Sequence, residues 1–235
     1  MNEIISKRKS IRKYDQAPLD SAVIEKLQAQ IDALKPLYPD IRFSVDITNK
    51  TRGPFNVKAP HYLLFRSEEK DCAYENIGFI GQQMDLFLQS SGIGSCWLGA
   101  AKPDLKETAA LPHMISMAFG NPAESLYREL SEFKRKPLSE ISKGSDTRLE
   151  AARLAPSAVN QQNWYFIAEA GKIHCYRKKS KSLLNALYEK MHSIDMGIAI
   201  YHIALESENF SFERETEASE LNGFIYVGTA GGTAK

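Results

Sequence analysis

The chain has 235 residues, 43% of them hydrophobic and 25% charged, with a formal net charge of +1 at pH 7, which suits a globular protein of one large domain or two small ones. Near-neutral charge offers no overall field for nucleic acid or an anionic membrane, so any anion site must be local. Cys72, Cys96 and Cys175 lie far apart without CxxC or Cys/His spacing, which argues against a disulfide framework or a zinc site and predicts a reduced, cytoplasmic protein with buried thiols. No signal core opens the chain, and no apolar run approaches the ~20 residues of a membrane span.

In chain order, Asp20 or Ser21 is the predicted N-cap of a helix whose apolar face is Ile24, Leu27, Ile31 and Leu34, stopped before Pro36. Phe43, Val45 and Ile47 alternate as in a half-buried strand, and Tyr62 to Phe65 read as a buried one. A long helix is predicted from about Tyr74 to Ser91, ended by Gly92 or Gly94. Ile115 to Phe119 is a further strand, and Glu124 to Phe133 reads as helical or extended. Ser142-Lys143-Gly144-Ser145-Asp146 is small, polar and free of apolar residues, so it is the expected linker between halves 1–141 and 147–235. A helix through Leu149, Ala152 and Leu154, strands at Trp164–Ala168 and Ile173–Tyr176, a helix over Asp195–Ser207 and a strand at Phe224–Val227 follow. The same events thus recur, and the two long helices can be laid over one another with Gly78 opposite Gly197 and Leu86 opposite Leu205. Internal duplication explains this; so does chance similarity of two amphipathic helices.

Three segments carry candidate chemistry. Arg8-Lys9-Ser10-Ile11-Arg12 gathers three cations and a hydroxyl ahead of a helix, which suits a phosphate or is a solvated basic terminus. In Gly92 to Ala101, small residues around Trp97 let backbone approach a flat ligand, or form a helix cap and a buried strand. Pro156-Ser157-Ala158-Val159-Asn160 is a turn able to present a hydroxyl, an amide and free N–H groups. The five histidines lie in unrelated contexts, with no Ser-His-Asp or Cys-His pairing, and His202 reads as a packing residue. Neither a Walker loop nor GxGxxG after a strand is present.

Together these segments resemble the nitroreductase family of flavoproteins. Arg8-Lys9-Ser10-Ile11-Arg12 is similar to its opening Arg-Arg-Ser-x-Arg, and Glu75-Asn76 through Cys96-Trp97-Leu98-Gly99 to its central helix and flavin-facing loop. Lys134-Arg135-Lys136-Pro137-Leu138 is similar to its closing Arg-Lys-Pro-Leu, and Ala155 to Trp164 to its Ala-Pro-Ser-x-x-Asn-x-Gln-Pro-Trp turn, with Asn163 replacing the proline. The resemblance implies an α+β fold, an antiparallel-rich mixed sheet flanked by helices, and FMN as cofactor. NAD(P)H would be the hydride source and a nitroaromatic, quinone or similar small molecule the acceptor. It implies Arg8, Lys9, Ser10, Arg12, Arg135 and Lys136 at the flavin phosphate and polar ring edge. Leu98, Gly99 and Ala100 would lie along the ring, and Pro156, Ser157 and Asn160 in the facing turn, with no protein acid or base.

The order departs from an ordinary member. The Pro-Ser-x-x-Asn turn belongs after the opening helix, where Lys35-Pro36-Leu37-Tyr38-Pro39 stands instead. The family shares its flavin between two subunits, so this arrangement implies an intrachain pseudo-dimer with one site, Arg8 and Ser157 on opposite sides of one FMN, and no second site. It also implies a monomer or weak homodimer. A flavin-binding sensor without turnover, or a cofactor-free interaction domain on the same fold, are the alternatives.

Overall fold

The computed structural model describes residues 1–54, 57–104, 109–180, 185–215 and 220–235, with the backbone alone at 185–187. The elements are α1 (Glu3–Lys7), α2 (Ser21–Asp32), β1 (Phe43–Thr48), β2 (Thr51–Arg52), β3 (His61–Ser67), α3 (Ala73–Ser90), β4 (Gly94–Leu98), β5 (Lys102–Pro103) and β6 (His113–Gly120). They continue as α4 (Leu138–Ile141), β7 (Ser142–Lys143), α5 (Arg148–Leu154), β8 (Trp164–Glu169), β9 (Lys172–Lys178), α6 (Asn185–Leu205), β10 (Ser207–Glu213) and β11 (Phe224–Ala234).

Two main sheets form, in the orders β1-β3-β6-β4 and β10-β11-β9-β8-β7, and a small β2-β5 pair stands apart. Leaving β7 aside, each main sheet takes its strands as first, second, fourth and third in chain order, every pair antiparallel. Each inserts its long helix between the second and third strands. The expected α+β architecture is therefore present, and the two halves share one topology.

β3 is buried at every position after His61, as its unbroken apolar run predicts for an internal strand, whereas β1 lies at the edge and mixes buried with open positions. α3 buries 14 of its 18 residues because it packs on its own sheet and on α6 at once. It ends in a Schellman cap: Gly92, at φ +81, donates to the Gln89 carbonyl, and Ile93 donates to that of Leu88. One core cluster runs through both halves, from Leu63, Ile77 and Met84 to Trp164, Ile198 and Ile203.

α3 and α6 meet backbone to backbone. A Cβ on Gly78 would stand 2.1 Å from the Ile194 carbonyl oxygen, and one on Gly197 1.9 Å from that of Glu75. In each case a glycine faces the residue three positions before the other glycine. That reciprocity is the signature of a two-fold contact.

Several sequence expectations are corrected. Ser142–Asp146 is no loose linker: β7 pairs in parallel with β8, Ser142 opposite Phe166, and Asp146 is clasped 2.7 Å from the buried Arg148. Composition reads an apolar-free edge strand as linker because its role is carried by backbone hydrogen bonds. The helix expected over Asp195–Ser207 is α6, which begins at Asn185 and ends at Leu205, so Asp195 is interior to it and Ser207 opens β10. The last strand runs on to Ala234, and between Glu124 and Phe133 the only helical turn is a 3-10 turn at Leu130–Glu132. No helix among the described residues is long and apolar enough to cross a membrane.

Candidate functional site

Against the middle of α6 lies a cavity of about 380 Å³ whose wall comes from both halves. The opening segment supplies Ser10 and Arg12, and the end of β4 supplies Trp97, Leu98, Gly99 and Ala100. From the second half, Pro156 to Val159 face them, and α6 closes the side with Ile194, Asp195 and Ile198. A Cβ on Gly99 would meet no atom within 4 Å, so the backbone there lies open to the cavity.

The 156–160 turn is strained and firmly held. Val159 and Asn160 adopt φ of 44° and 59°, with Gln162 at 52°, and for β-branched valine such a value is a true outlier. It persists because the surroundings over-determine it. The Ala158 N–H donates to Asp195 Oδ1 at 2.9 Å, and the Gln162 N–H to Ser157 Oγ at 3.0 Å. The first half completes the grip. Lys136 donates its backbone N–H to Gln162 Oε1 and its amine to the Gln161 and Gln162 carbonyls, while Arg135 donates to Asn160 Oδ1. Val159 stays 79% exposed on the rim.

Next to this turn cations outnumber their partners. Arg135 donates to the Leu154 carbonyl, but its Nε is buried with no hydrogen-bond partner. Burial and the charges of Arg128, Arg8 and Arg153 push its guanidinium down to about 9. Burial and Arg8 likewise push Arg128 down to about 10, with its guanidinium 3.5 Å from the Phe133 ring centre. Like charges held together while one donor remains unpaired favour an anion beside them.

The expected site residues thus fall into distinct places. Ser10, Arg12, Leu98, Gly99, Ala100, Pro156 and Ser157 share the cavity. Asn160 does not line it; it bridges Arg135 and the Lys134 carbonyl. Lys136 is spent on the turn. Lys9 turns its amine toward Glu124, 4.0 Å away. Arg8 lies beneath the cavity, 1% exposed, with Nε 3.0 Å from Asp85 Oδ2, because a buried guanidinium needs a counter-ion. Arg8, expected with the others at the phosphate and ring edge, does not line the cavity; its Nη2 lies 3.5 Å from the Ser10 hydroxyl.

Asp85 anchors a wider network. Its Oδ1 accepts from Ser95 Oγ at 2.6 Å, and its Oδ2 from Gln82 Nε2 at 3.0 Å. Burial pushes His202 down to about 4, so its ring is neutral. With Nδ1 2.8 Å from the Ala151 carbonyl, Nδ1 must carry the proton, and Nε2 accepts the second N–H of Gln82. Gln82 Oε1 then accepts from Trp97 Nε1 at 3.3 Å, a polar chain from the cavity wall to Arg8. Sequence reasoning missed Gln82, Arg128 and Asp195, each of which has a partner distant in the chain: His202, the Arg8 carbonyl and the Ala158 N–H.

Two helix–sheet layers joined through their long helices thus share an apolar cavity walled by both, with the guanidinium groups of Arg128 and Arg135 beside the facing turn. Residues 1–207 match the family model "Putative TM nitroreductase", and the chain belongs to that family. A crystal structure of a "putative nitroreductase" from Thermotoga maritima MSB8 is 19% identical with TM-score 0.65, covering 97% of this chain and 90% of that one. A nitroreductase family protein of Clostridium difficile 630 is 17% identical with TM-score 0.48, covering 60% and 96%. An FMN-dependent nitroreductase of Clostridium difficile R20291 is 16% identical with TM-score 0.45, covering 56% and 93%. No curated protein matched.

Proposed function

We propose that the chain is an FMN-dependent oxidoreductase, an intrachain pseudo-dimer with one FMN between its halves, passing hydride from NAD(P)H to a nitroaromatic, quinone or similar acceptor. The observation that carries this reading is the single cavity walled by Ser10, Arg12 and Gly99 from one half and by Pro156 and Ser157 from the other. The residues present fit such a cofactor: Gly99 leaves room for a flat ring, and the buried, unpaired Arg135 Nε beside Arg128 suits a phosphate. Bound there, the flavin would supply the hydride chemistry.

The protein's share is binding and orientation. Arg12 and Arg135, with Arg128, would neutralise the phosphate. Asn160 and Lys136 hold Arg135 and the turn in register, and the Arg8–Asp85 pair supports Ser10 from below. The open Gly99 backbone lets a ring lie against main chain, and Trp97 backs that wall. Another cavity, of about 450 Å³, holds Arg177 between Glu75 and Glu189. Ion pairs in the place of an apolar wall support a single site.

The test is the purified protein's absorbance near ~450 nm, the usual flavin band, together with its solution mass and flavin content. A yellow monomer carrying one FMN, bleached by NADH or NADPH and reoxidised by a quinone, is expected. A colourless protein that takes up no FMN would overturn the reading, and bound flavin without turnover would reduce it to a binding protein.

A further inference from the structure

Asp195 stands on the face of α6 that walls the cavity and is 4% exposed. Its Oδ1 is committed to the Ala158 N–H, while Oδ2 is buried with no hydrogen-bond partner. Among the described residues no ion pair reaches it. A carboxylate so placed would lack both counter-ion and solvent, and the cost of burying it selects the neutral acid. Burial accordingly raises this carboxyl to about 8, with only the Ala158 N–H opposing. The acid has a proton to give and no protein acceptor for it.

We propose that Asp195 is a cofactor-binding residue of this site, donating its Oδ2–H to a carbonyl oxygen or an unprotonated nitrogen of the flavin ring while Oδ1 holds the facing turn. This rests on the flavin reading above. It assigns a hydrogen-bond donor to a helix wall otherwise made of Met191, Ile194 and Ile198, and it makes the site prefer ligands that carry an acceptor on that side.

The other titratable groups around it do not take this role. On the same helix, His192 is engaged with Asn163 and the Lys178 carbonyl. From α3, Glu75 lies against Arg177 and Asp85 against Arg8. From β4, burial pushes the Cys96 thiol above its usual range, and the opening segment contributes only the cation Arg12. The turn itself carries no ionisable side chain.

The experiment titrates apoprotein with riboflavin, which lacks the phosphate and so bypasses the arginine cluster, and with FMN, between pH 6 and 9.5. Binding is read by flavin fluorescence for the wild type and Asp195→Asn. If only the acid binds, the wild-type dissociation constant for riboflavin rises about tenfold from pH 7 to pH 9. Asp195→Asn keeps an acceptor for Ala158 and a donor for the ligand, so its constant stays flat over that range. A role confined to anchoring the turn predicts the opposite trend, since a carboxylate accepts the Ala158 N–H better than the acid does. A flat or improving wild-type profile, or parallel profiles in the two proteins, would overturn the proposal. The wild-type profile decides alone if the variant does not fold. Failure of both flavins to bind at any pH would instead remove the flavin reading, and this proposal with it.

Discussion

Gly197→Ala sets two effects of opposite sign against each other. In an ordinary helix the change is favourable by ~1 kcal/mol, because alanine is the better helix former. Here the added methyl would stand 1.9 Å from the Glu75 carbonyl oxygen, 2.8 Å from its carbon and 2.9 Å from the Phe79 nitrogen. All three are backbone atoms of a buried helix, so no side chain can rotate away. Restoring even a 3.0 Å contact requires α6 to retreat by about 1.1 Å, opening the core between two helices. Overpacking on this scale costs ~1–3 kcal/mol or more, and a backbone clash belongs at the upper end, so net destabilisation of about 2 kcal/mol is expected. Urea unfolding followed by tryptophan fluorescence and circular dichroism should show a lower midpoint at unchanged slope. Gly78→Ala, 2.1 Å from the Ile194 oxygen, should behave alike. A midpoint unchanged or raised in both variants would refute the backbone contact and leave only helix propensity.

Other outcomes are equally specific. The Asp195 carboxyl titrates at about 8 when folded and at ~3.9 when unfolded. Its proton therefore favours the fold below pH ~4, and that contribution is lost as the pH rises to about 8. Asp195→Asn should stabilise the apoprotein by up to about 4 kcal/mol at pH 7, and by little at pH 4, in denaturant titrations at the two pH values. Arg135→Ala should weaken FMN binding by ~1.5–3 kcal/mol and riboflavin binding by less, as measured by fluorescence titration. Asp85→Ala strands the buried Arg8 guanidinium and should cost ~3–5 kcal/mol, seen as a large drop in the thermal midpoint.

What could be read from the sequence was what local chemistry determines. The periodicity of Leu27 and Ile31, the apolar run at Tyr62–Phe65, the Gly92 cap and the sharp turn after Pro156 each depend on neighbours a few residues away. The departures have a common cause. Asp195 marks the expected start of the second long helix because a long apolar stretch follows it, yet it lies inside α6 and its side chain accepts from Ala158 on another element. Arg8 and Arg12 are the same residue type in one short motif; only Asp85, far along the chain, buries the former while the latter stays exposed. Arg128 sits in an aperiodic stretch, and nothing local marks its closeness to Arg135. β10 escaped notice because an edge strand that pairs on one side need not carry a strong apolar alternation.

The glycine-to-carbonyl contacts between α3 and α6 also decide how the cavity responds to dilution. Separate subunits meeting through such an interface would part by mass action as their concentration fell. Here the partner is tethered, and its effective concentration is fixed by the chain that joins the halves. The width of the cleft is then a property of each molecule and not of the solution.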